Sequence, residues 1–298
     1  MATLGSPEDT VDVSGGAVSQ VDEPSQQNET WMMSEKQKVV LGIDAAWTLT
    51  NPTGVALIIE RGNGWELVDV AGSYREFLAV KGDPPVLRHQ GSVPDPAALT
   101  AAASRKAGSK VDLVAIDMPL SMAAISGRRV SDNIVSSLYG ARGGGTHTPS
   151  ALRPGKVSDD LRTGFGQIGY PLAVSEISGP SIIEVYPHPA LIELAKAARR
   201  LPYKHSKIGK YWPNEVPSTR RQLLFNVWQQ IIGLLDARIT GVAKALVLPS
   251  SDARGYEMKA FEDKLDAVVC ACVGACVIDG MAVAHGDAGS AIWVPKPS

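Results

Sequence analysis

The sequence predicts an α/β protein: a mixed sheet of three antiparallel and two parallel strands, flanked by helices and carrying helical and loop insertions. Three observations predict it. Three short apolar runs near the start are joined by connections too short for a crossover, so they pair antiparallel. Further along, apolar runs alternate with helical segments, the pattern of parallel strands. Two of the runs also end in an aspartate, at the sheet edge where ligands bind in open α/β proteins.

The elements follow in order. Residues 38–44 form the first strand, in which Val39-Val40-Leu41 leads into Gly42-Ile43-Asp44. Residues 54–60 form the second, Asn63-Gly64 marks a hairpin turn, and residues 65–72 form the third. Asp95 before Pro96 is an N-cap with proline at the first helical position, starting a helix that runs to about residue 106. The fourth strand, 111–117, ends in Asp117-Met118-Pro119-Leu120, and a helix follows over 126–139. Residues 140–180 are rich in Gly, Pro and Ser and read as a long loop. Residues 181–186 are the fifth strand, stopped by Pro187 and Pro189. Helices follow over 190–200 and 218–239, then a short apolar run at 245–248 that is a strand or a helix end. A last long helix covers 256–281, and a small strand covers 291–294. This is the element order of the ribonuclease H-like fold, in which the first and fourth strands lie adjacent and parallel. Asp44 and Asp117 then end side by side.

Composition sets the frame. The chain has 298 residues with 44% hydrophobic content, ample for a core. Residues 1–36 hold seven acids and one base and little apolar periodicity, so they read as a disordered N-terminal tail. Met33 is a candidate alternative start. Residues 37–298 read as a single domain. The formal net charge is −2, which does not by itself suggest nucleic acid. Residues 128–221, however, carry fourteen bases against seven acids, a segment able to meet phosphates or simply to face solvent.

Cys270, Cys272 and Cys276 do not fit paired zinc-ligand spacing and read as small buried hydrophobes. They give no disulfide framework, which suits a reducing cytoplasm. No charged start followed by an apolar core marks a secretory signal, and the longest apolar run, 267–278, is too short to span a bilayer. The expectation is a cytoplasmic protein with no membrane partner.

The acids carry the chemical argument. An aspartate after a strand often only caps a helix or starts a turn. A pair at neighbouring strand ends, joined by others, points further. Asp263 and Asp266 lie three apart and so share a face of the last helix. The bland reading is that they complement the helix dipole. The functional one aims Asp266 at Asp44 and Asp117, with Asp263 a second ligand or a solvent-facing neighbour. Glu184 sits among Ile182, Ile183 and Val185, so it is either solvent-facing or held by a partner. Several carboxylates with few histidines select a hard ion, Mg²⁺ or Mn²⁺. Two such ions would serve phosphodiester hydrolysis, with Asp44 bridging both, Asp117 and Asp266 holding one each, and Glu184 or Asp263 completing a shell. His188 is either a proton-transfer aid or a structural residue between two prolines.

Gly42-Ile43-Asp44, Asp117-Met118-Pro119-Leu120, Glu184-Val185-Tyr186-Pro187 and Asp266-Ala267, in this order, resemble the motifs of an uncharacterised family of predicted ribonuclease H-like nucleases, domain-of-unknown-function family 429. The resemblance covers about residues 38–295. Arg128-Arg129 with Asp132 match the group that follows the second motif of that family. Lys204, Lys207, Lys210 and Arg220-Arg221 stand, more loosely spaced, where it has a basic stretch. The resemblance implies the fold and a metal-dependent nuclease.

Arg128, Arg129, Arg142 and Arg153 are candidates for phosphate contact, or else for solvent exposure or ion pairing with Asp132, Asp159 and Asp160. Gly143-Gly144-Gly145 lacks the Gly-Lys-Ser/Thr ending of a P-loop and reads as a flexible loop. The substrate on this reading is a nucleic acid or a nucleotide. Two other readings stand beside it: an actin- or sugar-kinase-like ATPase or phosphotransferase, which shares the strand core, and a binding protein that keeps the fold without turnover.

Overall fold

Strand alternation builds the sheet and sorts its two faces. In Val39–Asp44 (β1), Val39, Leu41 and Ile43 point into one apolar layer and Val40 into the other. The computed structural model describes residues 37–62 and 64–297, and the expected tail at 1–36 and the turn residue Asn63 lie outside them. The other strands are Gly54–Arg61 (β2), Gly64–Ala71 (β3), Leu113–Ile116 (β4), Ser181–Val185 (β5), Ile239–Thr240 (β6), Ala282–Gly286 (β7) and Ala291–Pro295 (β8). They make one sheet of eight strands in the order β6-β3-β2-β1-β4-β5-β8-β7.

The five strands expected from the sequence occupy the middle, β3-β2-β1-β4-β5. The β1–β2 and β2–β3 pairs are antiparallel, and the β1–β4 and β4–β5 pairs are parallel. The sheet is nevertheless larger than five. β8 adds parallel to β5, β7 returns antiparallel to β8, and the short β6 joins β3. β6 starts on the last residue of the helix expected over 218–239, and β7 starts just after the helix expected over 256–281.

The helices are Tyr74–Leu78 (α1), Pro96–Ala107 (α2), Val130–Tyr139 (α3), Lys156–Gln167 (α4), Pro187–Leu194 (α5), Ile208–Tyr211 (α6), Pro217–Asp236 (α7), Val242–Ala245 (α8) and Gly255–Ile278 (α9). α1, α2 and α4 cover one face through Tyr74, Phe77, Leu99, Leu161 and Phe165. α5, α7 and α9 cover the other through Leu191, Trp228, Leu265 and Val268. α4 lies inside the stretch expected to be loop, where Leu161 and Phe165, four residues apart, give it a buried stripe. Of the short apolar run at 245–248, only Ala245 is helical, as the last residue of α8, and residues 246–248 are irregular rather than a strand.

The long helix α9 is buried on all sides from Leu265 to Cys276, and all three cysteines are free and buried within it. It crosses β1 and β2 at very close range. A Cβ on Gly42 would run into the Ala267 carbonyl and the Ala271 backbone nitrogen, and one on Gly54 into the Asp263 carbonyl. Glycine at these two strand positions is what lets α9 lie against the sheet and bring its acidic first turns to the ends of β1 and β4.

Candidate functional site

Asp44 is the last residue of β1, and Asp117 follows the last residue of β4. Ile43 and Ile116 are register partners, and the Asp117 amide donates to the Ile43 carbonyl at 2.8 Å. The two aspartates therefore leave adjacent parallel strands together. Both line one cleft of about 510 Å³, whose remaining wall is Ala45, Ala46, Trp47, His147, Thr148 and Arg153. Among the described residues neither carboxylate accepts a hydrogen bond. Burial pushes Asp44 up to about 7, with Asp266 adding to the rise and Lys259 and Lys204 opposing it. Burial likewise raises Asp117 well above the usual carboxylate range, helped by the charges of Asp44 and Asp266.

Asp266 reaches the same place from α9, but it is engaged. The Tyr203 hydroxyl donates to its Oδ1 at 2.7 Å, and the Lys204 ammonium binds its Oδ2. Lys204 also lies 3.6 Å from Glu262 Oε1, while Glu262 Oε2 accepts the His205 amide at 2.6 Å. Tyr203 is fixed in turn, because its carbonyl accepts the Trp228 indole N–H at 2.8 Å. Asp263 faces elsewhere in this network: its Oδ1 is bound by Lys259, and its Oδ2 is buried without a partner among the described residues.

Glu184 lies on the opposite pleat. It is the register partner of Ile116 and shares its face with Ile182, whereas Ile183 and Val185 point toward α9. There it forms a forked pair with Arg129, at 2.5 Å to Nη1 and 2.8 Å to Nη2, and accepts the Leu120 amide at 2.7 Å. Arg129 also binds Asp132, with Nη2 at 2.8 Å from Oδ1 and Nε at 3.0 Å from Oδ2. Burial raises the Glu184 pKa, and it works against the Arg129 charge as well, yet Glu184 and Asp132 hold Arg129 above its ordinary value. Glu184 thus has its cation, supplied by the chain itself.

The other basic candidates divide. Arg129 is buried in this triad, and with Asp132 and Glu184 it lines a small cavity that shares Trp47, Asp117 and His147 with the cleft. Arg142 pairs with the buried Glu193 at 2.6 Å and donates to the Ala197 carbonyl. Arg128 is exposed and donates to Thr148 Oγ1 at 3.1 Å, one residue from His147 on the cleft wall. Arg153 is exposed and lines the cleft. His188 is buried edge-on between Tyr186 and Tyr203, at centroid distances of 5.3 and 5.4 Å, with its Nδ1 unpartnered among the described residues. Burial and then Arg200, Lys204 and Lys207 hold it well below the ordinary histidine pKa, so it is a neutral packing residue.

Asp44 and Asp117 suit a hard divalent cation: Mg²⁺ is commonly held by one or two carboxylates together with waters and substrate phosphate. The larger ligand set with Glu184, Asp263 and Asp266 does not fit two ions, since each of those carboxylates is occupied by Arg129, Lys259 or Lys204. No group of three or more His, Cys, Asp or Glu among the described residues is arranged to hold a metal.

Sequence reasoning gave no role to Tyr203, Glu262 or His147. Glu262 carried a usable signal, since it stands four residues before Asp266 and so on the same helix face. Tyr203 and His147 sit outside regular elements, where no periodicity points to a neighbour.

A family model described as "Protein of unknown function (DUF429)" matches residues 171–289. The chain is similar to that uncharacterised family over a segment that contains Glu184, Lys204 and Asp266 and begins after Asp44 and Asp117. No curated protein and no solved structure matches the chain.

Proposed function

We propose that the protein is a ribonuclease H-like, divalent-cation-dependent phosphodiester hydrolase, acting on a nucleic acid or nucleotide at the Asp44–Asp117 cleft. The observation that carries this reading is the pair of strand-end carboxylates that share one open cleft and have no donor among the described residues. The central strand order β3-β2-β1-β4-β5 and the match at 171–289 support the same reading of the fold.

Asp44 and Asp117 would hold a Mg²⁺ or Mn²⁺ ion, which supplies Lewis-acid activation of water and charge neutralisation at phosphate. The opposite wall supplies the anion contacts. Arg153 has no carboxylate partner among the described residues, and its guanidinium suits two phosphate oxygens at once. Arg128 holds the Thr148 hydroxyl in the cleft wall. Burial, then Lys207, Arg200 and Arg153, lowers the His147 pKa and so favours its neutral ring in the cleft wall. No helix among the described residues is long and apolar enough to cross a membrane. The reading places the protein in the cytoplasm, where three free thiols stay reduced.

The test is a screen of single-stranded and duplex DNA, RNA, branched DNA and dinucleotides with Mn²⁺, using the full chain, Asp44→Asn and Asp117→Asn. The reading expects cleavage of at least one substrate, stopped by EDTA, with either variant lowering kcat at least 100-fold. A silent screen, or cleavage unchanged in both variants, rules it out. ATP hydrolysis dependent on Asp44 would move the protein to the ATPase class.

A further inference from the structure

The acids that meet at the ends of β1, β4 and α9 do not all await a metal. Asp266 already holds a cation, the Lys204 ammonium, which is anchored from three directions. It binds Asp266 Oδ2, sits 3.6 Å from Glu262 Oε1, and lies 4.9 Å from the centroid of the Tyr203 ring. Tyr203 closes the arrangement by donating to the other Asp266 oxygen at 2.7 Å. Lys204 is itself largely buried, at 19% side-chain exposure, and Asp266 is fully buried. A buried ammonium this well paired is costly to displace, because removing it strands a buried carboxylate.

We propose that Lys204 takes the place of one of the two cations of a two-ion site, so that the cleft binds a single divalent ion, on Asp44 and Asp117. The inference rests on the hydrolase reading for the ion's purpose, but not for its number. Charge matching gives the number. With Asp266 neutralised by Lys204, and Asp263 and Glu262 each in contact with Lys259 as well, the carboxylates of this cluster left without a donor among the described residues are Asp44 and Asp117. Their two negative charges equal one divalent ion. A second ion would place two further positive charges beside a fixed ammonium in a partly desolvated cleft. Burial works against the Lys204 charge, yet the negative charges around it, Asp266 first, hold its pKa above the ordinary lysine value.

The experiment is Mn²⁺ titration of the full chain by calorimetry, with free Mn²⁺ counted by electron paramagnetic resonance. The parent should bind one ion per chain. Lys204→Met, which frees Asp266, should bind two, and Lys204→Arg should return to one. Asp266→Asn should still bind one ion with Kd changed less than about fivefold, whereas Asp44→Asn should bind none. A parent stoichiometry of two overturns the proposal. So does a single ion lost on Asp266→Asn, which also decides the matter if Lys204→Met does not fold. A single ion in a chain that cleaves nothing overturns the hydrolase reading and leaves the stoichiometry proposal standing. No Mn²⁺ binding at all overturns both.

Discussion

Replacing Asp44 by Asn should stabilise the metal-free protein, and the gain should depend on pH in a way the structure fixes. Burial, with Asp266 adding to it, lifts the Asp44 pKa from 3.8 to about 7. A carboxyl whose folded pKa lies above its unfolded one helps stability at low pH, where both states hold the proton. That help is lost as pH rises from about 4 through about 7, because the unfolded chain ionises first. At roughly 1.4 kcal/mol per pH unit the full effect has a ceiling of about 4 kcal/mol. Asp44 is only partly buried and opens on the cleft, so water screens part of it, and about 2 kcal/mol is the working figure. Asparagine keeps the shape and removes the charge. Urea denaturation of parent and Asp44→Asn in EDTA, at pH 4.5 and pH 8, isolates the term, since other titrations cancel in the difference. The variant's advantage should grow by about 2 kcal/mol between the two pH values. An advantage that is equal at both, or a variant less stable than the parent at pH 8, would show that Asp44 is not held against its charge.

Two further outcomes follow from the fold. Arg129→Ala should cost about 3–5 kcal/mol in urea denaturation, because it leaves Glu184 and Asp132 buried without their shared cation; a loss under 1 kcal/mol would refute the triad's structural role. Gly42→Ala should destabilise by about 1–3 kcal/mol or more, since the added carbon meets α9 backbone rather than a movable side chain, and an unchanged melting temperature would contradict that close approach.

The central strands were legible because each is a short apolar run bounded by turn residues, and the antiparallel pairing of the first three followed from their short connections. The missed strands carried no such signal. β6 is two residues long, and β7, Ala-Val-Ala-His-Gly, is a half-exposed edge held mainly by pairing to β8. α4 hides in a stretch whose glycines read as loop, though Leu161 and Phe165 mark its face. At the site, Asp44 and Asp117 could be placed together because each ends an apolar run and the element order is that of the ribonuclease H-like fold, which sets the first and fourth strands side by side. Glu184 could not be placed by residue type alone. Its pleat parity with Ile182 sends it to the opposite face, and its partner Arg129 is 55 positions away. Lys204 was visible only as one of three lysines in an irregular segment. Its meeting with Asp266, across 62 positions, is set by tertiary packing that no local pattern encodes.

The central claim is that Asp44 and Asp117 together hold one divalent ion. A crystal of the full chain soaked in Mn²⁺, with data collected at the manganese absorption edge, tests it most directly. One anomalous peak is expected, held by Asp44 and Asp117, with Lys204 still on Asp266. Two peaks with Asp266 as a ligand, or a peak lying away from both strand-end aspartates, would contradict it.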